Sequence, residues 1–296
     1  MEIINNDVEL EHLGSGVCIF RNAFSANWEA IFQTATELVD LEHADMYQQT
    51  IHPETGEMAY INKSGYLFTG ESMDAMPRRG SVIHRDSRPQ IAKMLQDIET
   101  IKDSYLLKYF ERFPLAYNCI WWKVKGHLVS YSPGVYLGSH SDISAEYVYG
   151  VHQTSQELAL RNVITSITYL NSSNDENSLV DGEFSGGEHI FNYLGITYSP
   201  RAGDIMMFPS NYMAAHEVLP VTQGRRISYL GCYSQGTPNS IVGEDVCDPL
   251  SNPEGARMST NVYMPSLRDD YRRLLQERGY DESSEQFNVT RLVGKE

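Results

Sequence analysis

The sequence predicts a mainly β protein, a jelly-roll core carried by helices on its N-terminal side. Three observations point there. From Cys119 to Tyr233, short β-branched and aromatic runs follow one another between turn residues, the pattern of a β sandwich or barrel. Two segments ahead of that block repeat apolar residues at helical spacing instead. The chain has 296 residues, 41% hydrophobic and 21% charged, enough for one large β domain with additions or two small domains. The expected division is an N-terminal strand with supporting helices and a long loop (1–118), a β core (119–236) and a C-terminal extension with a short helix (237–296), all in one integrated unit.

Taken in order, Val17–Phe20 reads as a short strand. The run NWEAIFQTATELV places Trp28, Ile31, Phe32, Ala35 and Leu38 on one helical face, with Ser25 as the N-cap. From about Leu41 to Ser87 the sequence reads as irregular, a lid or substrate-facing segment carrying Tyr47, Tyr60 and Tyr66. Pro89 opens a second helix with Ile91, Met94, Leu95, Ile98 and Ile101 inward, and Pro114 is its expected breaker. Each amphipathic helix would lay one face on a sheet. In the β block, Trp121 and Trp122 read as core or rim aromatics, and 143–160 as an acidic, aromatic insert at the mouth. Asn162–Asn171 alternates as a strand. Gly186-Gly187 reads as a tight turn, and Arg201–Asp204 and Val221–Gly224 as further turns. Ile205–Pro209 is a buried strand and Arg226–Tyr233 the last strong one. The charged helix LRDDYRRLLQERG near the end reads as a packing element or the contact of a homo-oligomer.

Composition narrows the function classes. A net charge of −16 with no long Lys/Arg run speaks against a protein that tracks phosphates, so no nucleic-acid partner is expected. Cys18, Cys119, Cys232 and Cys247 form no CxxC pair, which is neither a disulfide framework nor a zinc spacing. Reduced thiols fit a cytoplasmic protein. The N-terminus has no leader-like apolar region, and no apolar run approaches the roughly 18 residues of a membrane span, so no membrane partner is expected.

The chemistry centres on Tyr131–Asp142, YSPGVYLGSHSD. On a strand, His140 and Asp142 would leave the same face. Two groups do not make a catalytic metal site, and the candidate third is His216, in NYMAAHEVLP. Two His and one carboxylate with open positions are the ligand set of non-haem Fe(II) oxygenases. A His-x-Asp triplet alone is common; the surrounding order of motifs makes it specific.

Four features in order resemble the prolyl-4-hydroxylase-like branch of the Fe(II)/2-oxoglutarate-dependent dioxygenases, over about Lys123 to Tyr233. They are Tyr131 leading through a Gly turn to His140-x-Asp142; the strand ITSITYLN; Phe184-Ser185-Gly186-Gly187-Glu188 followed by the Arg201–Asp204 turn and a strand ending in Phe208-Pro209; and His216-Glu217-Val218-Leu219-Pro220 followed by Arg226-x-Ser228. The resemblance implies a double-stranded β-helix core with His140, Asp142 and His216 as iron ligands. It implies that Arg226 holds the distal carboxylate of 2-oxoglutarate, with hydrogen bonds from Ser228, Tyr131 and Tyr169. Arg225 takes that place if the strand register slips by one. Fe(II), 2-oxoglutarate and O2 are the implied cofactors, succinate and CO2 the products, and hydroxylation of a peptide or small molecule the outcome. The chain departs from many of these relatives at Leu137, where an aromatic stands three residues before the first His. Desaturation or ring formation could use the same triad, and a metal-binding jelly roll without turnover, a sensor or partner module, is the alternative of another class.

Overall fold

A computed structural model describes residues 8, 10–24, 28–56, 58–62, 67–69, 78–80, 89–120, 122–124, 126–143, 162–235, 261–263 and 265–277. Strands β1 (Leu10–Gly14) and β2 (Val17–Phe20) precede helix α1 (Trp28–Met46). Strands β3 (Tyr47–Ile51), β4 (Met58–Asn62), β5 (Leu67–Thr69) and β6 (Arg78–Gly80) lead to helices α2 (Pro89–Arg112) and α3 (Pro114–Cys119). The β block then supplies β7 (Trp122–Val124), β8 (His127–Tyr131), β9 (Leu137–His140), β10 (Asn162–Tyr169), β11 (Phe184–Gly186), β12 (His189–Phe191) and β13 (Ile196–Tyr198). It closes with β14 (Ile205–Pro209), β15 (His216–Val218), β16 (Val221–Gly224) and β17 (Arg226–Ser234), before β18 (Asn261–Tyr263) and α4 (Pro265–Glu277).

The major sheet runs β1-β2-β14-β10-β17-β7-β18, with β8 also paired to the first half of β17 and β6 to β8. Facing it is the minor sheet β13-β12-β15-β9, and β11 pairs with β16. All these pairings are antiparallel, and the result is the double-stranded β-helix. Strand alternation divides β17 between two faces. Ile227, Tyr229 and Tyr233 face the helices and pack with Leu38, Leu95, Ile98, Ile101 and Tyr105. Arg226, Ser228 and Leu230 face the minor sheet and line the cavity between the sheets. The helix layer carries a polar knot: Lys102, fully buried, bonds Glu99 and lies over the Tyr229 and Tyr233 rings. Two glycines admit this packing. A Cβ on Gly126 would fall 2.3 Å from the Tyr229 ring, and one on Gly231 would fall 2.5 Å from Lys102 Nζ.

Several expectations are corrected. The segment from Leu41 to Ser87 is not irregular throughout: α1 continues to Met46, and β3, β4 and β5 form an antiparallel sheet. The turn HPETG makes this possible, with Gly56 at φ +70° and its N–H bonded to His52 O, while His52 Nδ1 accepts from Glu54 and Thr55 N–H. Val221–Gly224 is a strand, because only Gly224 takes the left-handed conformation. Pro114 does not merely stop α2; it opens α3, where a missing N–H costs nothing. β1 and β2 from the N-terminal part and β18 from the C-terminal part pair into the same sheet as strands of the core. α4 packs within the chain, its buried Tyr271 against Phe110 and Tyr117. Ser25, Trp121 and nearly all of the 143–160 insert lie outside the described residues. No helix among the described residues is long and apolar enough to cross a membrane.

Candidate metal centre

His140 is the last residue of β9 and His216 the first of β15, and the two are direct cross-strand partners. Their rings lie 4.4 Å apart. Asp142 follows just beyond β9, with Oδ1 3.3 Å from His140 Nε2 and Oδ2 3.6 Å from His216 Nε2. One ligand atom from each residue lies within 4.8 Å of the others. Both imidazoles have their tautomer set by the backbone. His140 Nδ1 is 2.9 Å from Gly138 O and His216 Nδ1 is 3.0 Å from Ala214 O. A carbonyl only accepts, so each Nδ1 carries the proton and each Nε2 offers a lone pair.

The carboxylate is also held. Thr165 Oγ1 donates to Asp142 Oδ2 at 2.9 Å, and Asn162 Nδ2 donates to the Asp142 carbonyl at 2.7 Å. Burial raises the Asp142 pKa, but the adjacent His140 and His216 and the bond from Thr165 outweigh it, so the group lies below the usual carboxylate range. Burial lowers His216, against the pull of Asp142, and keeps it neutral. A neutral His216 and an ionised Asp142 are the states a divalent metal requires. The residues fit an iron ion, with His140 Nε2, His216 Nε2 and the Asp142 carboxylate as its ligands.

Beside the triad lies a small cavity between the two sheets. Val129, Leu137, Ile167, Val218 and Leu230 form apolar walls, and Tyr131, His189, Arg226 and Ser228 supply the polar groups. Arg226 is 1% exposed, and its guanidinium carbon lies 5.0 Å from the Tyr131 ring and 5.5 Å from the Tyr169 ring. Nη1 donates to Gly187 O at 3.0 Å, and Nε is buried without a partner. Among the described residues no carboxylate pairs with this cation, so it is arranged for an anion from outside. Gly187, at φ +66°, clears the space: a Cβ there would fall 3.4 Å from Arg226 Cδ and 3.0 Å from the Phe184 ring.

Of the seven residues singled out from sequence, the structure brings six to the cavity: His140, Asp142, His216, Arg226, Ser228 and Tyr131. Register places Arg226 opposite Tyr131, and Arg225 does not line the cavity. Tyr169 is the exception. It is fully buried behind the wall, its hydroxyl 3.1 Å from His189 Nδ1 and 3.6 Å from Met206 Sδ, so it does not reach a ligand directly. Sequence reasoning passed over two residues. Thr165 looked like one more β-branched strand residue. His189 sits in an apolar strand just after the Gly-Gly turn, which was the available signal. It is fully buried, stacked on Phe191 at 4.8 Å and 4.7 Å from the His216 ring. Burial, then the nearby His216, Arg226 and His140, hold its pKa well below the usual histidine value.

Residues 126–233 match the model of the 2OG-Fe(II) oxygenase superfamily. No curated protein matches the chain. Among solved structures, the chain is similar to the viral collagen prolyl hydroxylase of Paramecium Bursaria Chlorella virus-1 in its 2OG complex, at 14% identity over 76% of this chain and 98% of that one, with a TM-score of 0.44. It is also similar to a Trichoplax adhaerens prolyl hydroxylase in complex with a hypoxia inducible factor peptide fragment, at 16% identity over 75% and 84% of the two chains, with a TM-score of 0.47. A Pseudomonas putida prolyl-4-hydroxylase is similar at 16% identity over 75% and 94%, with a TM-score of 0.42. The triad is assembled inside the matched segment, and residues 126–233 form a domain of the 2OG-Fe(II) oxygenase superfamily, whose enzymes work with Fe(II), 2-oxoglutarate and O2.

Proposed function

We propose that the protein hydroxylates an unactivated C–H bond of a peptidyl or small amino-acid-like substrate, with 2-oxoglutarate converted to succinate and CO2. The observation that carries this reading is the intact, ionised Asp142, held by Thr165 beside both imidazoles. Iron with its cosubstrate and O2 supplies the oxidising power. The chain's residues do the rest. His140, His216 and Asp142 would hold the metal through three of its positions. Arg226 and Ser228 would orient the cosubstrate by its distal carboxylate, a guanidinium being matched to that planar anion. The apolar walls keep water from the reacting centre.

Exposed side chains next to the ligands in sequence support the substrate class. Ile143, directly after Asp142, is exposed, and so are Tyr212 and Met213 on the 3₁₀ turn that leads into His216. Exposed apolar and aromatic groups flanking the ligands in sequence suit an amino-acid-like substrate. The net charge of −16 keeps nucleic acid outside the reading. We place the protein in the cytoplasm, where the free thiols Cys18, Cys119 and Cys232 stay reduced.

The test supplies Fe(II), 2-oxoglutarate and O2 with a panel of peptides and free amino acids, and follows succinate and substrate mass together. Succinate formed one for one with a product that has gained one oxygen atom supports hydroxylation. A product lighter by two hydrogens overturns it in favour of desaturation. Loaded enzyme that only decarboxylates 2-oxoglutarate, whatever the panel, overturns the substrate class.

A further inference from the structure

The hydroxyl that holds Asp142 is itself held from behind. Thr165 Oγ1 belongs to a fully buried residue and has three polar neighbours: Asp142 Oδ2 at 2.9 Å, Ser210 Oγ at 2.8 Å and Cys232 Sγ at 3.8 Å. A hydroxyl has one proton to give and two lone pairs to receive with. The Thr165 proton goes to Asp142, because an ionised carboxylate only accepts. The reverse order would leave two oxygens facing each other at 2.9 Å with no proton between them. Ser210 must then be the donor to Thr165. Both protons run the same way, from Ser210 to Thr165 to Asp142, and in such a series each bond polarises and strengthens the next. Ser210 is 1% exposed, so water does not compete for its hydroxyl.

Ser210 also stands at the root of the other arm of the triad. It follows β14 directly, and its N–H donates to Val163 O on β10 at 2.9 Å. The chain then makes the short turn that presents His216. Asn211 Oδ1 accepts from Met213 N–H, Ala214 N–H returns to Asn211 O, and Ala214 O receives His216 Nδ1. This segment is therefore tied to β10 at Ser210 by one main-chain bond and one side-chain bond. The side-chain bond leads, through Thr165, to the carboxylate oxygen that lies 3.6 Å from His216 Nε2.

We infer that Ser210 is a positioning residue of the metal centre, joining the Asp142 and His216 arms through the Thr165 hydroxyl. The pairing of β9 with β15 fixes the two imidazoles by backbone, whereas Asp142 lies beyond the end of β9 and needs side-chain bonds to keep its place. Partners that orient a ligand in this way set how tightly the metal is held. The inference rests on the triad as a metal site and is independent of the substrate and cosubstrate.

The test uses Zn(II) alone, with affinity read by chelator competition and the stability of the metal-free protein by urea unfolding. Ser210→Ala is made in three backgrounds: wild type, Thr165→Ser, which keeps the hydroxyl, and Thr165→Val, which removes it. In the first two, Ser210→Ala is expected to weaken Zn(II) binding about threefold to tenfold, the range of one hydrogen bond. In the Thr165→Val background it is expected to leave Zn(II) affinity unchanged and to raise stability, because the orphaned Ser210 hydroxyl goes with it. An equal loss of Zn(II) affinity in all three backgrounds, or wild-type affinity in Ser210→Ala, would overturn the inference. Should a variant fail to fold, wild type decides. Its Ser210 hydroxyl proton is expected to exchange slowly with water and to shift in proton NMR when Zn(II) is added. A proton there that exchanges freely, or that does not respond to Zn(II), overturns the inference as well. Folded wild type that binds no Zn(II) would instead remove the metal centre itself, a distinguishable failure.

Discussion

Replacing Arg226 with methionine separates binding from folding, because the two effects have opposite signs. In the free protein this guanidinium has one hydrogen bond, to Gly187 O, an orphaned Nε and two aromatic faces. Cation–π contacts contribute up to about 2 kcal/mol when desolvated, whereas burying a cation costs several kcal/mol. Methionine restores the volume, gives up the Gly187 bond at about 1 kcal/mol, and removes the buried charge. The stability of the ligand-free protein is therefore expected to stay level or rise by about 1 kcal/mol. Binding responds in the other direction. Two charge-assisted hydrogen bonds at about 1.5–3 kcal/mol each put the loss of 2-oxoglutarate affinity at about a hundredfold or more. Urea unfolding of the free protein and calorimetric titration of 2-oxoglutarate into the Zn(II)-loaded protein read the two quantities separately. A variant destabilised by about 3 kcal/mol that still binds 2-oxoglutarate as wild type does would make Arg226 a structural residue and refute the reasoning.

Other perturbations follow from single contacts. Thr165→Val keeps the strand residue and removes the donor to Asp142 Oδ2, so iron affinity measured by chelator competition is expected to fall about tenfold to a hundredfold, with a loss of about 1–3 kcal/mol in stability from the Ser210 hydroxyl it also leaves unpaired. Gly126→Ala would drive a Cβ into the Tyr229 ring at 2.3 Å, and a loss of about 1–3 kcal/mol is expected from urea unfolding. Glu99 is a buried carboxylate that burial would raise, but Lys102, Lys123 and the Tyr229 hydroxyl bring it from 4.5 to about 2. A depressed folded-state pKa gives stability that is present above the unfolded value and lost as pH falls through the window from about 4.5 to about 2, here about 3 kcal/mol. Unfolding free energies across that window should decline in wild type, and Glu99→Gln should remove this part of the slope.

Legibility from sequence followed the range of the interactions. The strands of the β block alternate because one face meets helices and the other meets the second sheet, so Asn162–Tyr169 and Arg226–Tyr233 could be read locally. The triad was readable because His140 and Asp142 lie two apart and the motif order locates His216. Its closure was not local: it depends on β9 and β15 pairing with His216 opposite His140. Tyr169 could be placed near the site but not oriented, since its hydroxyl meets His189 twenty residues on and Met206 beyond it. His189 itself has no local mark beyond its place after Gly186-Gly187, and it stands out only through its burial and an unpartnered ring nitrogen. The sheet of β3, β4 and β5 was missed because short polar strands such as YQQTI have weak alternation and are stabilised by their partners rather than by a hydrophobic face.

The most direct measurement of the central claim is an anaerobic titration of purified protein with Fe(II) and then 2-oxoglutarate, following the visible charge-transfer absorption of the chelate. His216→Ala and Arg226→Met are titrated alongside. Wild type is expected to develop the band, His216→Ala to lack it, and Arg226→Met to require far more 2-oxoglutarate to reach it. Folded wild-type protein that binds Fe(II) and develops no band at saturating 2-oxoglutarate would contradict the account.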